Sequence, residues 1–173
     1  IKEFELEGMS VGDSLLNFVS KKSIKTQIKD RTTSVYYEKD YVSIVLKEMR
    51  NKISNYDDVK AVIKLNDQSY KIYALEGIIN FRSIDECHKD QIKISNEIKD
   101  SLNLKIEGDM WHLRKSRLPD AIKDIRYIDF DLKSDLSTGS FRTGCYDYKK
   151  GTDFLMIMIN SPEFDKYLLE EAG

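Results

Sequence analysis

No stretch of this chain holds the roughly eighteen consecutive apolar residues that a membrane-crossing helix needs. The longest apolar run worth weighing, Phe154 to Ile159, has the length of a strand. Net charge is scarce too: 28 Lys and Arg stand against 30 Asp and Glu, a formal charge of −2. The molecule as a whole therefore has no field that would draw nucleic acid or an anionic membrane. Local catalytic signatures are also missing, with no phosphate-cradling glycine loop, nucleophile elbow, zinc-protease helix or calcium loop. Such motifs are short and contiguous, so any site that exists must be assembled from distant residues. Only two prolines and eight glycines occur, and no stretch reads as an interdomain linker or an exact repeat.

What is present suits a single domain spanning residues 1–173. Hydrophobic residues make up 40% of the chain and charged residues 34%, with ten Tyr and seven Phe among them. That length and that aromatic content can build a core without a metal or other cofactor, and none is expected. The chain opens at Ile1 rather than Met. Removal of a signal peptide would leave such an opening, and so would trimming of the chain or of a tag.

The periodicities predict an α+β fold. Ser10 is placed to cap a first helix whose stripe is Val11, Leu15, Phe18 and Val19, and Ser20 to start a second carrying Ile24 and Ile28. Alternating Val42, Ile44, Leu46 and Val59, Ala61, Ile63, Leu65 predict strands, and the Asn66–Ser69 turn leads into a third strand over residues 70–81. Gly77 within that strand suggests a bulge. Ser83 and Glu86 have capping-box spacing, and Ile84, Cys87, Gln91, Ile94, Ile98 and Leu102 recur every three or four residues, predicting a helix over 83–102 with Ile94 and Ile98 buried. Residues 103–125 mix signals. Strands return around 128–132, 141–148 and 154–159, and Ser161–Pro162 opens a closing helix. The expected architecture is about six mainly antiparallel strands, in two three-stranded meanders, packed against a long central helix. Short N-terminal helices and a C-terminal helix complete it.

Two cysteines are placed to meet. Cys87 lies on the inner stripe of the long helix, and Cys145 shares a strand face with Phe141 and Thr143. Helix and sheet sides of one core can hold their Cα atoms about 5–6 Å apart, as a disulfide requires. Such a bond persists in an oxidising compartment; the alternative is two inert buried thiols in a cytosolic protein.

The phrase Glu7-Gly-Met-Ser-Val-Gly-Asp-Ser-Leu-Leu16 resembles the opening of a family of uncharacterised exported bacterial proteins, in which a GMSIGDSLL-type helix follows a secretion signal. The cysteine in Ile84-Asp-Glu-Cys87, the Cys145-Tyr-Asp147 segment and the ending Ile159-Asn-Ser-Pro-Glu-Phe164 are similar to that family as well. The resemblance implies a periplasmic or otherwise exported chain and brings no activity with it. A looser likeness, carried by Gly-Met-Ser before an apolar segment, is to small outer-membrane assembly lipoproteins and β-lactamase-inhibitor-like folds, whose domains bind other proteins. Those domains are smaller than this one.

Several constellations carry possible chemistry. Cys87, His88, His112 and Cys145 could be set against zinc, but neighbouring helical residues diverge by about 100°, and a surface His88 is the ordinary reading. Cys145 as a nucleophile would need His112 as its base. Asp129 and Asp131 share a strand face and could bind a metal or do acid–base work, but with Ile128, Phe130 and Leu132 on the other face this is what any half-exposed strand looks like. The most unusual segment is Met110-Trp-His-Leu-Arg-Lys-Ser-Arg117. There Trp111 with Arg114, Lys115 and Arg117 could clamp an anionic or aromatic ligand, single-stranded nucleic acid included. A buried, anchoring Trp111 is the bland alternative. Tyr36, Tyr37 and Tyr41 form a weaker second surface.

Together these readings favour a non-catalytic module of the bacterial cell envelope that binds another envelope protein or a small ligand. An enzyme with a dispersed, hydrolase-like site is the rival, and a nucleic-acid binder acting through residues 110–117 comes third.

Overall fold

A computed structural model describes residues 5–30, 36–37, 40–49, 51–102, 105–106, 111–112, 121–131 and 139–172; at 36–37, 101–102, 105–106, 111–112, 131 and 171–172 it describes the backbone alone. The chain opens with β1 (Glu5–Leu6) and β2 (Met9–Ser10), a tight hairpin whose turn residues Glu7 and Gly8 have φ of 51° and 79°. Two consecutive positive φ values are what a two-residue type I′ turn demands.

The helix expected from Ser10 does not form. Gly12 sits at φ 101°, and the Ser10 backbone N–H donates to Asp13 Oδ2 at 2.9 Å, the reverse of the expected cap. Gly12 and Leu15 donate to the carbonyls of Ile72 and Tyr70, and Asp13 accepts from Ile72. Long-range partners thus take the backbone groups that a helix would have used, leaving one 3-10 turn at Leu15–Asn17. Val11, Leu15 and Val19 are buried all the same. The second helix, α1 (Lys21–Lys29), starts as expected at Ser20, whose Oγ accepts the Ser23 N–H at 3.3 Å.

The strands β3 (Tyr36–Tyr37), β4 (Tyr41–Val45), β5 (Asp58–Lys64) and β6 (Ile72–Phe81) follow, then α2 (Ile84–Leu102), capped by Ser83 Oγ on the Glu86 N–H. Two short strands, β7 (Lys105–Ile106) and β8 (Trp111–His112), precede β9 (Ile122–Asp131), β10 (Ser140–Tyr148), β11 (Asp153–Asn160) and α3 (Pro162–Ala172). Both expected meanders, β4–β5–β6 and β9–β10–β11, are there. They are not separate sheets, because β6 pairs with β11 and fuses them into one antiparallel sheet of order β3-β4-β5-β6-β11-β10-β9-β7, with β8 also on β9.

Register assigns two faces. Val42, Ile44, Ala61, Ile63, Leu75, Leu155, Ile157, Ile159, Phe141, Ile128 and Phe130 alternate onto one of them and form the main buried cluster with Leu6, Met9, Leu15 and Ile24. On this face α2 touches β10, β11 and β6, while α1 touches β4. On the other face α3 brings Phe164 onto Tyr41, Val62, Tyr73 and Ala74. The outer edge of β4 is shielded by α1: Gln27 Oε1 accepts the Val45 N–H at 3.0 Å and Gln27 Nε2 donates to the Val45 carbonyl at 2.9 Å. One side-chain amide thereby stands in for a neighbouring strand.

Gly77 does not mark a bulge. The register shift between β5 and β6 falls at Val62/Ile63, and Gly77 pairs regularly with Val59 and Ile157. Its role is space, since a Cβ there would lie 2.5 Å from Tyr56 Cε1 and 3.0 Å from Leu6 Cδ2.

Candidate functional site

The inner side of α2 is polar where an apolar stripe was expected. Among the described residues its fully buried positions are Cys87, Gln91 and Ser95, with His88 beside them at 8% exposure. Ile84, Ile94 and Ile98 are only half-buried at the margins of the core, so the isoleucines are flanks and not the centre of the stripe. Cys87 and Cys145 form a disulfide with Cα atoms 6.0 Å apart, and neither cysteine has any exposed surface. One turn on, Gln91 Nε2 donates to the carbonyls of Arg126 (3.0 Å) and Thr143 (3.2 Å), bridging β9 and β10. Ser95 Oγ meets Thr143 Oγ1 at 3.2 Å. His88 is not a surface residue: its Nδ1 lies 2.9 Å from Arg126 Nη1. A guanidinium can only donate, so Nδ1 is the acceptor in this contact. The disulfide consumes both thiols, which removes Cys87 and Cys145 as zinc ligands and Cys145 as a nucleophile. Among the described residues no three His, Cys, Asp or Glu gather as a metal site.

A second polar cluster sits on the opposite face, where α3 leaves the sheet. Asp165, buried in the first turn of α3, accepts from Ser140 Oγ at 2.7 Å and from Asn160 Nδ2 at 3.0 Å. Nearby, Arg142 grips Asp129 through Nε and Nη2, the latter to Oδ2 at 3.0 Å, while its guanidinium lies 4.9 Å from the Tyr127 ring centre. Asp129 is thus half of a cross-strand ion pair rather than a plain solvated carboxylate. Burial pushes the Asp165 carboxyl up, against the opposing pull of the Ser140 and Asn160 hydrogen bonds and of Arg142. A carboxyl whose pKa is raised by folding adds stability at low pH and loses it as pH rises through the folded value. Asp165→Asn keeps an oxygen to accept both bonds and removes the charge. Its stability relative to wild type should therefore grow as pH rises from about 4, the ordinary carboxylate value, through neutrality. Urea titrations across that range check it, and a pH-independent difference contradicts it.

Of the predicted surface, Trp111 and its neighbour His112 are placed by backbone pairing, Trp111 opposite Tyr127 and His112 opposite Arg126 on β9. Arg114, Lys115 and Arg117 lie outside the described residues. Of the weaker tyrosine surface, Tyr41 is 2% exposed and belongs to the core under α3. An open cleft between α1 and the 3-10 turn at Lys47–Met49 is lined by Ser20, Lys22, Thr26, Lys47 and Glu48. Glu48 is occupied there with the Ser20 N–H and hydroxyl, at 3.0 and 2.9 Å, which makes it a second cap on α1. Neither polar cluster was legible beforehand, because each joins elements whose angle and register only the fold supplies. Comparison with protein-family models, curated proteins and solved structures finds no match to this chain.

Proposed function

We propose that this chain is a non-catalytic interaction module of the bacterial cell envelope, exported and matured by forming the Cys87–Cys145 disulfide. One observation carries the reading: the disulfide closes between two fully buried cysteines inside the main core. Such a bond is at home in an oxidising compartment. The proposed contact region is the β8 edge of the sheet, where Trp111 pairs with Tyr127 and the basic residues Arg114, Lys115 and Arg117 follow in the chain. The partner is another envelope protein or a small ligand.

Cross-linking in the native envelope fraction tests this. A discrete adduct is expected with wild type, and its loss in Trp111→Ala and in an Arg114→Ala, Lys115→Ala, Arg117→Ala triple variant. An adduct pattern that none of these variants changes removes the β8 edge from the proposal. A second reading, a dispersed hydrolytic site, is favoured by Asp165, a buried carboxyl with a raised pKa beside a serine hydroxyl. A panel of ester, phosphoester and glycoside substrates separates the two. Turnover abolished by Asp165→Asn would overturn the module reading.

A further inference from the structure

We propose that the Cys87–Cys145 disulfide is a redox-gated clamp on α2: closed, it couples the helix to the sheet, and opened, it lets α2 lift away as a unit while the β4–β5–β6 side stays folded. The composition of the interface carries this. Among the described residues, the positions of α2 buried on the sheet are one half-cystine and three polar side chains, His88, Gln91 and Ser95. Its isoleucines are half-buried flanks, and Ile92 is 48% exposed. The hydrogen bonds under α2 are exchanged for water when the helix lifts, so each adds little net docking energy, whereas buried apolar area would add much. Gln91 Oε1 is buried with no hydrogen-bond partner among the described residues, which weakens the seam further. The same core is apolar on the β4–β5–β6 side, from Leu6 and Leu15 through Val42, Ile44 and Ile63, and among the described residues α2 joins it through Cys87 and the flanking Ile84, Ile94 and Ile98. The covalent link therefore supplies the coupling that an apolar stripe would otherwise provide.

Opening the clamp is ordinary thiol–disulfide exchange. One thiolate of a dithiol attacks one of the two sulfurs and the other leaves and takes a proton. The second thiol of the reagent then closes on the mixed disulfide, so two protein thiols and one cyclic disulfide result. Both cysteines are fully buried, so the dithiol reaches them only when the helix opens, and the clamp guards itself.

Native-state hydrogen exchange on the oxidised protein and on a Cys87→Ala, Cys145→Ala double variant tests the idea. In the oxidised protein, amides of α2 between Gln91 and Lys99 are expected to exchange no more than a few times faster than those of Val62 and Ala74. In the double variant α2 should exchange at least tenfold faster relative to those strands. Matched acceleration of α2 and the central strands would show one cooperative unit and overturn the clamp. Should the double variant fail to fold, the rate of reduction of the intact protein by dithiothreitol decides. Val62→Ala, across the sheet, is expected to leave that rate unchanged while it lowers global stability. A rate that rises with the loss of global stability would place reduction on global unfolding and overturn the clamp. Neither measurement depends on the compartment, so failure here leaves the envelope reading standing, and failure of that reading leaves the clamp.

Discussion

Removing the Cys87–Cys145 bond is expected to lower the stability of the protein by about 4 kcal/mol, the larger of its two greatest predicted losses. The cysteines are 58 residues apart in the chain. Closing a loop of that size removes entropy from the unfolded ensemble, and the standard loop-length relation puts the effect at about 4 kcal/mol near room temperature. The segment closed runs from α2 through β9 into β10, so the unfolded chain loses freedom in about a third of its length. Cys87→Ala with Cys145→Ala is the suitable variant, because a single change would leave one thiol free to pair between molecules. Urea denaturation followed by far-UV circular dichroism measures the difference. A loss below about 1.5 kcal/mol would mean that the reduced, unfolded chain already holds this loop compact. The same bond bears on the compartment. Protein taken from its native source without reductant should run 2 Da lighter than after reduction, and the unfolded, unreduced chain should resist alkylation. Two alkylated cysteines would remove the disulfide and the main support for an extracytoplasmic location.

The disulfide was legible in the sequence because it needed only local rules. Helical period places Cys87 on the inner side of α2, strand alternation places Cys145 with Phe141 and Thr143, and both patterns are strong. The boundaries of α2, the caps at Ser20 and Ser161, and six strands of five or more residues followed in the same way, except that the first half of β9, from Ile122, lay in the stretch of mixed signals and Leu132 lies outside the described residues. The errors share one cause, which is that tertiary partners outbid local pattern. Val11, Leu15 and Val19 have helical spacing, but Gly12 at positive φ and hydrogen bonds to Tyr70 and Ile72 hold that run in turns, with one 3-10 turn in place of a helix. Gly77 reads as a bulge until Tyr56 is seen filling the space over it. His88 reads as a surface residue until Arg126 comes across from β9. Asp165 reads as one more acid in the first turn of a helix, and only the angle of α3 against β10 brings it to Ser140. Polar clusters in this fold are built between elements, and no spacing within one element encodes them.

Tyr41→Ala should cost about 3–4 kcal/mol, because this ring fastens α3 to the sheet. Tyr41 is 2% exposed, and its ring centre lies 5.3 Å from Tyr73, 5.1 Å from Phe164 and 4.8 Å from Tyr167, joining β4, β6 and α3 in one aromatic cluster. Truncating a buried aromatic side chain loses its transfer energy and leaves a cavity, typically a loss of about 3–5 kcal/mol. The lower part of that range applies because α3 can settle partly into the gap. Tyr41→Phe is the control. It keeps the ring and removes only the hydroxyl, which meets Glu163 Oε1 at 3.4 Å, so it should cost less than about 1 kcal/mol. The hydroxyl also has a signature in base. Burial first, then the Glu163 carboxylate and Tyr73, pushes its pKa far above the ordinary value, and Tyr73, Tyr56, Tyr127 and Tyr148 are moved the same way by burial. A phenol kept neutral by the fold adds stability that is complete below its unfolded pKa of about 10 and is lost as pH climbs above it. Stability should therefore fall steeply between about pH 10 and pH 11.5, and less steeply in Tyr41→Phe. Denaturant titrations of wild type, Tyr41→Phe and Tyr41→Ala at neutral and alkaline pH separate the two contributions. If Tyr41→Phe costs as much as Tyr41→Ala at neutral pH, the hydroxyl rather than the ring fastens α3; if its alkaline slope matches wild type, the Tyr41 phenol is not held neutral by the fold.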